Sequence, residues 1–263
     1  MISIDGVHKS FGDNRVLRGI DLVVKEGESL IVAGRSGSGK SVLLKCILGL
    51  VRIDQGSIRF HGEPLTDRKR TEFLEHFGML FQGGALFDSL PVWQNVAFRL
   101  LRGKQKRPPG EARAVAIDKL GRVGLEPDIA DLYPAELSGG MQKRVSLARA
   151  IAADPSVIFF DEPTTGLDPV MADVINDLIR GIVDELGATA VTITHDISSV
   201  RAIGDQIAMI HGGTIGWYGP VADMDRSGNP HMEKFLGRHR RVDTQAQVPR
   251  NGSDRPSAPD RDG

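Results

Sequence analysis

The chain has 263 residues, enough to bury a sizeable core in one domain with a sub-domain inserted. Its 33 lysines and arginines nearly cancel 34 acids, so no global field points to nucleic acid or an anionic surface. One cysteine, Cys46, excludes an intramolecular disulfide and suits a reducing compartment, and no apolar run approaches the roughly 20 residues of a membrane helix.

Taken in order, the first 25 residues alternate as strands do, with Ile2, Ile4 and Val7, then Val16-Leu17, then Ile20, Leu22 and Val24, broken at Phe11-Gly12. The N-terminus carries no basic-then-apolar signal, which leads to the expectation of a soluble cytoplasmic protein whose membrane role, if any, comes through another chain. Ser29-Leu30-Ile31-Val32-Ala33 reads as a buried strand, and Val42–Leu48 has the apolar density of a core helix. Between them lies Gly34-Arg35-Ser36-Gly37-Ser38-Gly39-Lys40-Ser41, which fits G-x-x-x-x-G-K-[ST] in the strand–loop–helix setting that gives this pattern its mechanism. The glycines let backbone N–H groups turn around a phosphate at a helix N-terminus. Lys40 would reach the β- and γ-phosphates, and the Ser41 hydroxyl would bind Mg²⁺.

Gly56–Phe60 predicts another short strand, leading into a turn at His61-Gly62-Glu63-Pro64 and completing a small antiparallel sheet. Phe77–Phe81 is a further buried strand, ending at Gln82. Residues 83–156 then hold most of the helical patterning, over Val92–Leu101, Glu111–Val123 and Gln142–Ala153, with the basic Gly103–Gly110 as a solvated link. Beyond residue 156, strand-like Val157–Phe160, Ala190–Thr194 and Gln206–Ile210 alternate with a helix over Ala172–Leu186, which indicates a parallel sheet covered on both faces. Arg238–Gly263 is rich in arginine, aspartate and proline and is expected to be a disordered tail, leaving 1–237 as the folded domain.

Several groups stand where a phosphate-binding core needs them. Asp161 and Glu162 follow an apolar strand, and in an open parallel sheet ligands bind at the carboxyl ends of strands. Asp161 suits the Mg²⁺ shell, and Glu162 is then free to polarise water. His195 follows the strand Ala190–Thr194 on the same edge and is expected to contact the γ-phosphate. Gln82, also at a strand end, can bind a metal through its amide oxygen or orient a water. Leu137-Ser138-Gly139-Gly140-Met141-Gln142 exposes N–H groups and a hydroxyl before a helix, a second anion site in the same chain.

With these motifs in hand, the chain resembles the nucleotide-binding subunit of an ABC transporter. Gly34–Ser41 matches the Walker A motif, Gln82 the Q-loop, Leu137–Gln142 the ABC signature and Val157–Glu162 Walker B with its glutamate. Thr165-Gly166-Leu167-Asp168 matches the D-loop, His195 the switch histidine and Phe11 the aromatic that stacks on adenine, over about residues 1–220 in order. The resemblance implies an α/β fold with a phosphate-loop NTPase core, a small antiparallel β subdomain and an inserted helical subdomain near 83–156. It implies ATP and Mg²⁺ as ligands, with Phe11, Val16, Gly34 through Val42, Ser138, Gly139, Gly140, Met141, Gln142 and Asp168 at the nucleotide. Ser41, Gln82 and Asp161 are then the metal ligands, and Glu162, His195 and Gln82 the catalytic groups. It also implies a head-to-tail homodimer in which each ATP lies between one chain's Walker A loop and the other's signature, as an isologous interface allows.

A finer resemblance lies in Phe81–Val92 followed by Asn95-Val96-Ala97-Phe98, in Gln206–Gly213, and in Ser227–Pro230 with Phe235-Leu236-Gly237. These are similar to the ATPases of bacterial Mla-type phospholipid transporters, which work with Mce-domain lipid-binding proteins. The implied setting is the cytoplasmic face of the inner membrane, beside an integral-membrane permease. An importer for amino acids or another small solute is the alternative. A soluble relative acting on DNA or ribosomes is disfavoured, because the chain has one cassette, no long insertion and no basic excess. A sensing module without turnover is disfavoured by the intact Glu162 and His195. Leu86, Phe87 and Trp93 are candidate apolar anchors for a permease helix, with internal packing as their other reading.

Overall fold

Hydrophobic alternation builds the first two strands of the computed structural model, which describes residues 2–102 and 106–237. Strands β1 (Ile2–Phe11) and β2 (Asn14–Val24) form a hairpin whose turn contains Gly12 in the left-handed region, φ 58°. Wholly buried β3 (Ser29–Ala33) runs through the phosphate loop into α1 (Lys40–Leu48). There follow β4 (Gln55–Phe60), β5 (Glu63–Pro64), α2 (Asp67–Glu75), β6 (Phe77–Leu80) and α3 (Val92–Val96). The chain continues with α4 (Pro109–Arg122), α5 (Gly139–Ile151), β7 (Val157–Asp161) and α6 (Pro169–Leu186). It closes with β8 (Thr189–Thr194), α7 (Ile197–Ile203), β9 (Gln206–His211), β10 (Thr214–Pro220) and α8 (Pro230–Phe235).

Two sheets result. The antiparallel one has the order β2-β1-β4-β5, and the six-stranded one the order β10-β9-β3-β8-β7-β6. In the larger sheet β9, β3, β8, β7 and β6 run parallel, and β10 joins β9 antiparallel at the edge. The period of two along these strands divides the core. Leu30, Val32, Phe159, Val191 and Ile210 pack toward α1 and the antiparallel sheet, while Ile31, Ala33, Ile158, Phe160 and Met209 pack toward the helices α3–α7. Burying side chains of this size contributes about 1.5–3 kcal/mol each, so both sheet faces are firmly covered. The nearly continuous apolar strands follow from that two-sided burial. This is the α/β phosphate-loop architecture, with an antiparallel β layer and a group of helices, read from the sequence.

The differences are local. The helix at Val92 ends at Val96, and turns carry the chain on to Arg102. Gln82 lies in the turn after β6, Glu63–Pro64 of the expected turn pair with β4 as β5, and α2, β10, α7 and α8 are additional to the sequence-derived elements. Residues 103–105 of the basic link and the tail from Arg238 lie outside the described residues.

Candidate functional site

At the end of β3 the backbone of Gly34 passes so close to its surroundings that a Cβ would lie 2.6 Å from the Ile210 carbonyl oxygen and 2.7 Å from Ser38 Oγ. Gly37 and Gly39 take positive φ, 76° and 105°, and turn the loop into α1. Lys40, 7% exposed, donates through Nζ to the carbonyl oxygens of Gly34 (2.8 Å) and Arg35 (3.3 Å). Burial lowers its pKa, against the opposing pull of Glu162 and Asp161. The lysine is thus held over the loop it would share with a phosphate. Ser38 Oγ is buried without a partner, Ser41 is exposed on the first turn of α1, and Val42 behind it is half-buried.

The acid pair sits where β7 stops. Asp161 Oδ1 is buried and has no hydrogen-bond partner. Burial, and then the charge of Glu162, raise the Asp161 pKa. Glu162 is held in the left-handed region, φ 50°, a conformation costing a non-glycine residue of the order of 1 kcal/mol. Its N–H bonds the Ile193 carbonyl (2.8 Å), and its carboxylate accepts from Thr165 Oγ1 (3.0 Å). His195 Nδ1 lies 2.8 Å from Glu162 Oε2 and 3.0 Å from Oε1. An ionised carboxylate only accepts, so Nδ1 carries the proton in this pair. The Glu162 side chain is 12% exposed and that of His195 63%, so the pair spans from the sheet edge to solvent. Gln82 is exposed two residues past the last β6–β7 register pair, Leu80↔Phe160, on the edge that carries Glu162. The sequence put these groups on one edge; the direct bond between Glu162 and His195 is an addition.

Two adjoining clefts border the phosphate loop. One, of about 520 Å³, is lined by Asn14, Val16, Arg18, Arg35, Ser36 and Ser38 among others. The other, of about 460 Å³, brings Arg35 and Ser36 together with His195, His211 and Lys234. Phe11 lies outside the lining residues of both but pairs across the hairpin with Asn14, which lines the first. It is half exposed, with Lys9 Nζ 5.3 Å from its ring centroid. Ser41, Asp161 and Gln82 offer a hydroxyl, a carboxylate with an orphaned buried oxygen and an amide oxygen, a hard donor set that fits Mg²⁺.

The signature forms a second group. Ser138 caps α5, its Oγ accepting from Met141 N–H at 3.3 Å, and Gln142 Nε2 donates to the Pro134 carbonyl at 2.9 Å. A Cβ on Gly140 would lie 2.7 Å from Met171 Cε, and Asp168 caps α6 by accepting from Met171 N–H at 3.0 Å. Gly140 and Asp168 therefore both adjoin Met171. Among the described residues no hydrogen bond joins 138–142 to 34–42.

Further along α5, Ser146 Oγ donates to Gly84 O (3.0 Å), and the Arg149 guanidinium donates to Gly84 O and Ala85 O (2.7 Å each). The segment after Gln82 is thereby fastened to the signature helix. Beside it opens an apolar groove of about 450 Å³, with Phe81, Phe87 and Phe98 among its lining residues. Phe87 is 42% exposed and stacks on Phe98 at 4.4 Å, whereas Leu86 and Trp93 pack inward against the core. Of the three apolar anchors only Phe87 lines the groove. Sequence reasoning also left Thr165 without a side-chain role and passed over Lys143, although the i, i+4 spacing of Lys143 and Leu147 places it on the inward stripe of α5.

The family model described as "ABC transporter" matches residues 17–165. A probable ribonucleotide transport ATP-binding protein of Mycobacterium tuberculosis is 38% identical over 242 residues, covering 91% of this chain and 67% of that protein. The chloroplastic protein Trigalactosyldiacylglycerol 3 of Arabidopsis thaliana is 35% identical over 253 residues, covering 89% and 73%. Proteins named for glutamine transport and for methionine and L-cystine import match at 37–40% identity. Among solved structures, the dimeric post-hydrolysis state of the ATP-binding cassette MJ0796 with ADP and phosphate superposes with a TM-score of 0.75 at 32% identity, covering 84% of this chain and 99% of that one. The chain therefore belongs to the ABC transporter family, as an ATP-binding cassette with ATPase activity.

Proposed function

We propose that this chain is the motor subunit of a bacterial phospholipid transporter, peripheral to the cytoplasmic face of the inner membrane, working as a homodimer beneath a separate permease. The observation that carries the motor reading is the convergence of Lys40, Asp161, Glu162 and His195 at one sheet edge. Lys40 exchanges its bonds to the Gly34 and Arg35 carbonyls for the β- and γ-phosphates of ATP, and the loop N–H groups cradle them. Ser41, Asp161 and Gln82 would hold Mg²⁺, which would supply charge neutralisation at the phosphates. Glu162 accepts a proton from water as the water oxygen forms a bond to the γ-phosphorus, and the bond from that phosphorus to the bridging oxygen of ADP breaks. His195 bonds the Glu162 carboxylate and is assigned to contact the γ-phosphate.

Ser138 and Gly139 are assigned to the ATP of the second copy, since within their own chain Ser138 only caps α5. Among the described residues no helix is long and apolar enough to cross a membrane, so the stroke is passed on by surface contact. The groove beside Phe87 supports that reading, because its wall is fastened through Gly84 and Ala85 to the signature helix. The phospholipid assignment rests on the likeness of Phe81–Val92 to the Mla-type ATPases and on a relative named for a glycerolipid. In that setting an Mce-domain lipid-binding protein is a further partner. The relatives named for ribonucleotide and amino-acid transport favour a small-solute importer as the second reading. Purification with the permease in mild detergent, followed by mass spectrometry of the bound molecule, separates the two. Phospholipid is expected, and a stoichiometric amino acid or nucleotide would overturn the lipid assignment.

A further inference from the structure

Two buried hydroxyls lie behind the Glu162–His195 pair. Thr164 and Ser199 are both buried, and their side-chain oxygens lie 3.0 Å apart. Ser199 Oγ is 2.7 Å from Asp196 Oδ2, and an ionised carboxylate only accepts, so the Ser199 proton goes to Asp196. With that proton committed, Ser199 accepts from Thr164, which sets the order Thr164 to Ser199 to Asp196. Burial pushes the Asp196 pKa up, but the bonds from the Ser199 hydroxyl and from the Ser199 and Ser198 N–H groups, with the neighbouring His195, bring it below the ordinary value. Thr164 belongs to the turn after β7 and Ser199 to α7 beyond β8, so this bond joins residues 35 apart in sequence. Asp196 adjoins His195, and Thr164 adjoins Thr165, whose hydroxyl bonds the Glu162 carboxylate. Glu162 in turn meets His195 at 2.8 Å. The contacts close a circuit that runs Glu162, His195, Asp196, Ser199, Thr164, Thr165 and back to Glu162.

We propose that Thr164 and Ser199 are positioning residues for hydrolysis, their bond setting the spacing of the turns after β7 and β8 and so holding Glu162 and His195 in register. The inference rests on the reading of Glu162 as the base and His195 as the γ-phosphate contact. The sheet itself stops short of this task. Strands β7 and β8 pair as far as Asp161↔Ile193, and the Glu162 N–H bonds the Ile193 carbonyl, after which the two turns part from the ladder. Glu162 is in the left-handed region, φ 50°, a conformation that persists where its surroundings over-determine it. The circuit has an exposed arm, with the His195 side chain 63% exposed, and a buried arm at Thr164 and Ser199. A hydrogen bond out of water is the stiffer of the two, because no solvent competes for its partners. Neither hydroxyl lines the clefts beside the phosphate loop, so the buried arm acts on turnover and not on the hold on ATP.

The test is steady-state ATP hydrolysis by the full chain, with kcat and KM separated and kcat divided by the sites that bind a fluorescent ATP analogue. Ser199→Ala and Thr164→Val are each expected to lower kcat about tenfold, inside the ~10²-fold that a misplacement of about 1 Å can cost, with KM for ATP within about twofold of wild type. The double variant is expected to lose no more than either single one, because both act through one bond. Thr164→Ser keeps the hydroxyl and is expected to recover most of the turnover that Thr164→Val loses. Wild-type kcat in both single variants overturns the proposal. So do a raised KM with kcat kept, additive losses in the double variant, or Thr164→Ser as slow as Thr164→Val, as a merely structural role would give. If Ser199→Ala does not fold, Ser199→Cys, whose thiol donates only weakly, decides: a lowered kcat supports the proposal and a wild-type kcat overturns it. Glu162→Gln run alongside separates the two readings. If it turns over as wild type, the base assignment fails and the proposal with it. If it loses turnover while Ser199→Ala and Thr164→Val match wild type, the positioning proposal alone fails.

Discussion

Lys40 and Ser138 stand at the start of two helices, each beside a pair of glycines, yet their surroundings differ. Around Lys40 the chain gathers carbonyls, two carboxylates and clefts shaped by its own loop. Around Ser138 it gathers a cap on Met141 and the packing of Gly140 against Met171, whose N–H is held by Asp168. The first region holds the reacting groups, and the second presents N–H groups and a hydroxyl. On the proposed reading, a site divided in this way would tie hydrolysis to the meeting of two chains, the kind of link through which a chemical step drives a rigid-body movement.

The largest effect should come from the region with the reacting groups. Glu162→Gln keeps the shape and removes the base, so steady-state hydrolysis is expected to fall ~10²–10⁴-fold while ATP binding persists. Wild-type turnover would remove Glu162 from the base role. His195→Ala should lose turnover as well and keep part of the binding, because the imidazole contributes most as charge shifts onto the γ-phosphate. Lys40→Ala is expected to weaken ATP binding by about tenfold or more, since a hydrogen bond to a charged group contributes roughly 1.5–3 kcal/mol and 1.4 kcal/mol is tenfold. Titration calorimetry on the folded variant checks it, and an unchanged affinity breaks the contrast between the two regions.

That contrast was legible in the sequence only in part. The phosphate loop, the acid pair and the strand-end histidine follow from apolar runs of set length ending in polar residues, and β3 has the bounds its apolar run gave it. Helix α2 was not legible, because Asp67–Glu75 is mostly charged and one deeply buried side chain, Phe73, secures it. Strand β10 was hidden by Gly216, Gly219 and Pro220, which read as turn residues until the pairing with β9 supplies partners for the backbone. The bond from His195 to Glu162 joins residues 33 apart in sequence and depends on β7 and β8 being neighbours, which no local pattern reveals.

Two smaller effects sharpen the comparison. Phe87→Asp places a charge in the apolar groove and is expected to reduce permease association and lipid transport, leaving ATP binding by the isolated subunit intact. Normal assembly and transport by that variant would remove the groove from the coupling path. Cys46, buried in α1 behind the phosphate loop, has its thiol pKa pushed up to about 11, mainly by burial. The native thiol should therefore stay protonated at pH 8 and react with a thiol reagent at least ~100-fold more slowly than in the unfolded chain. Fast labelling of the native protein would show that α1 opens readily.

Mixing two defective subunits tests the division of the site most directly. Lys40→Ala disables the phosphate-loop half and Ser138→Arg the signature half, and each homodimer is expected to be inactive. In the mixed dimer one site carries both defects and the other carries none. The account predicts recovery of part of the wild-type ATPase activity on mixing, in proportion to the mixed species. An active Ser138→Arg homodimer, or a mixture that stays as inactive as its components, would contradict it.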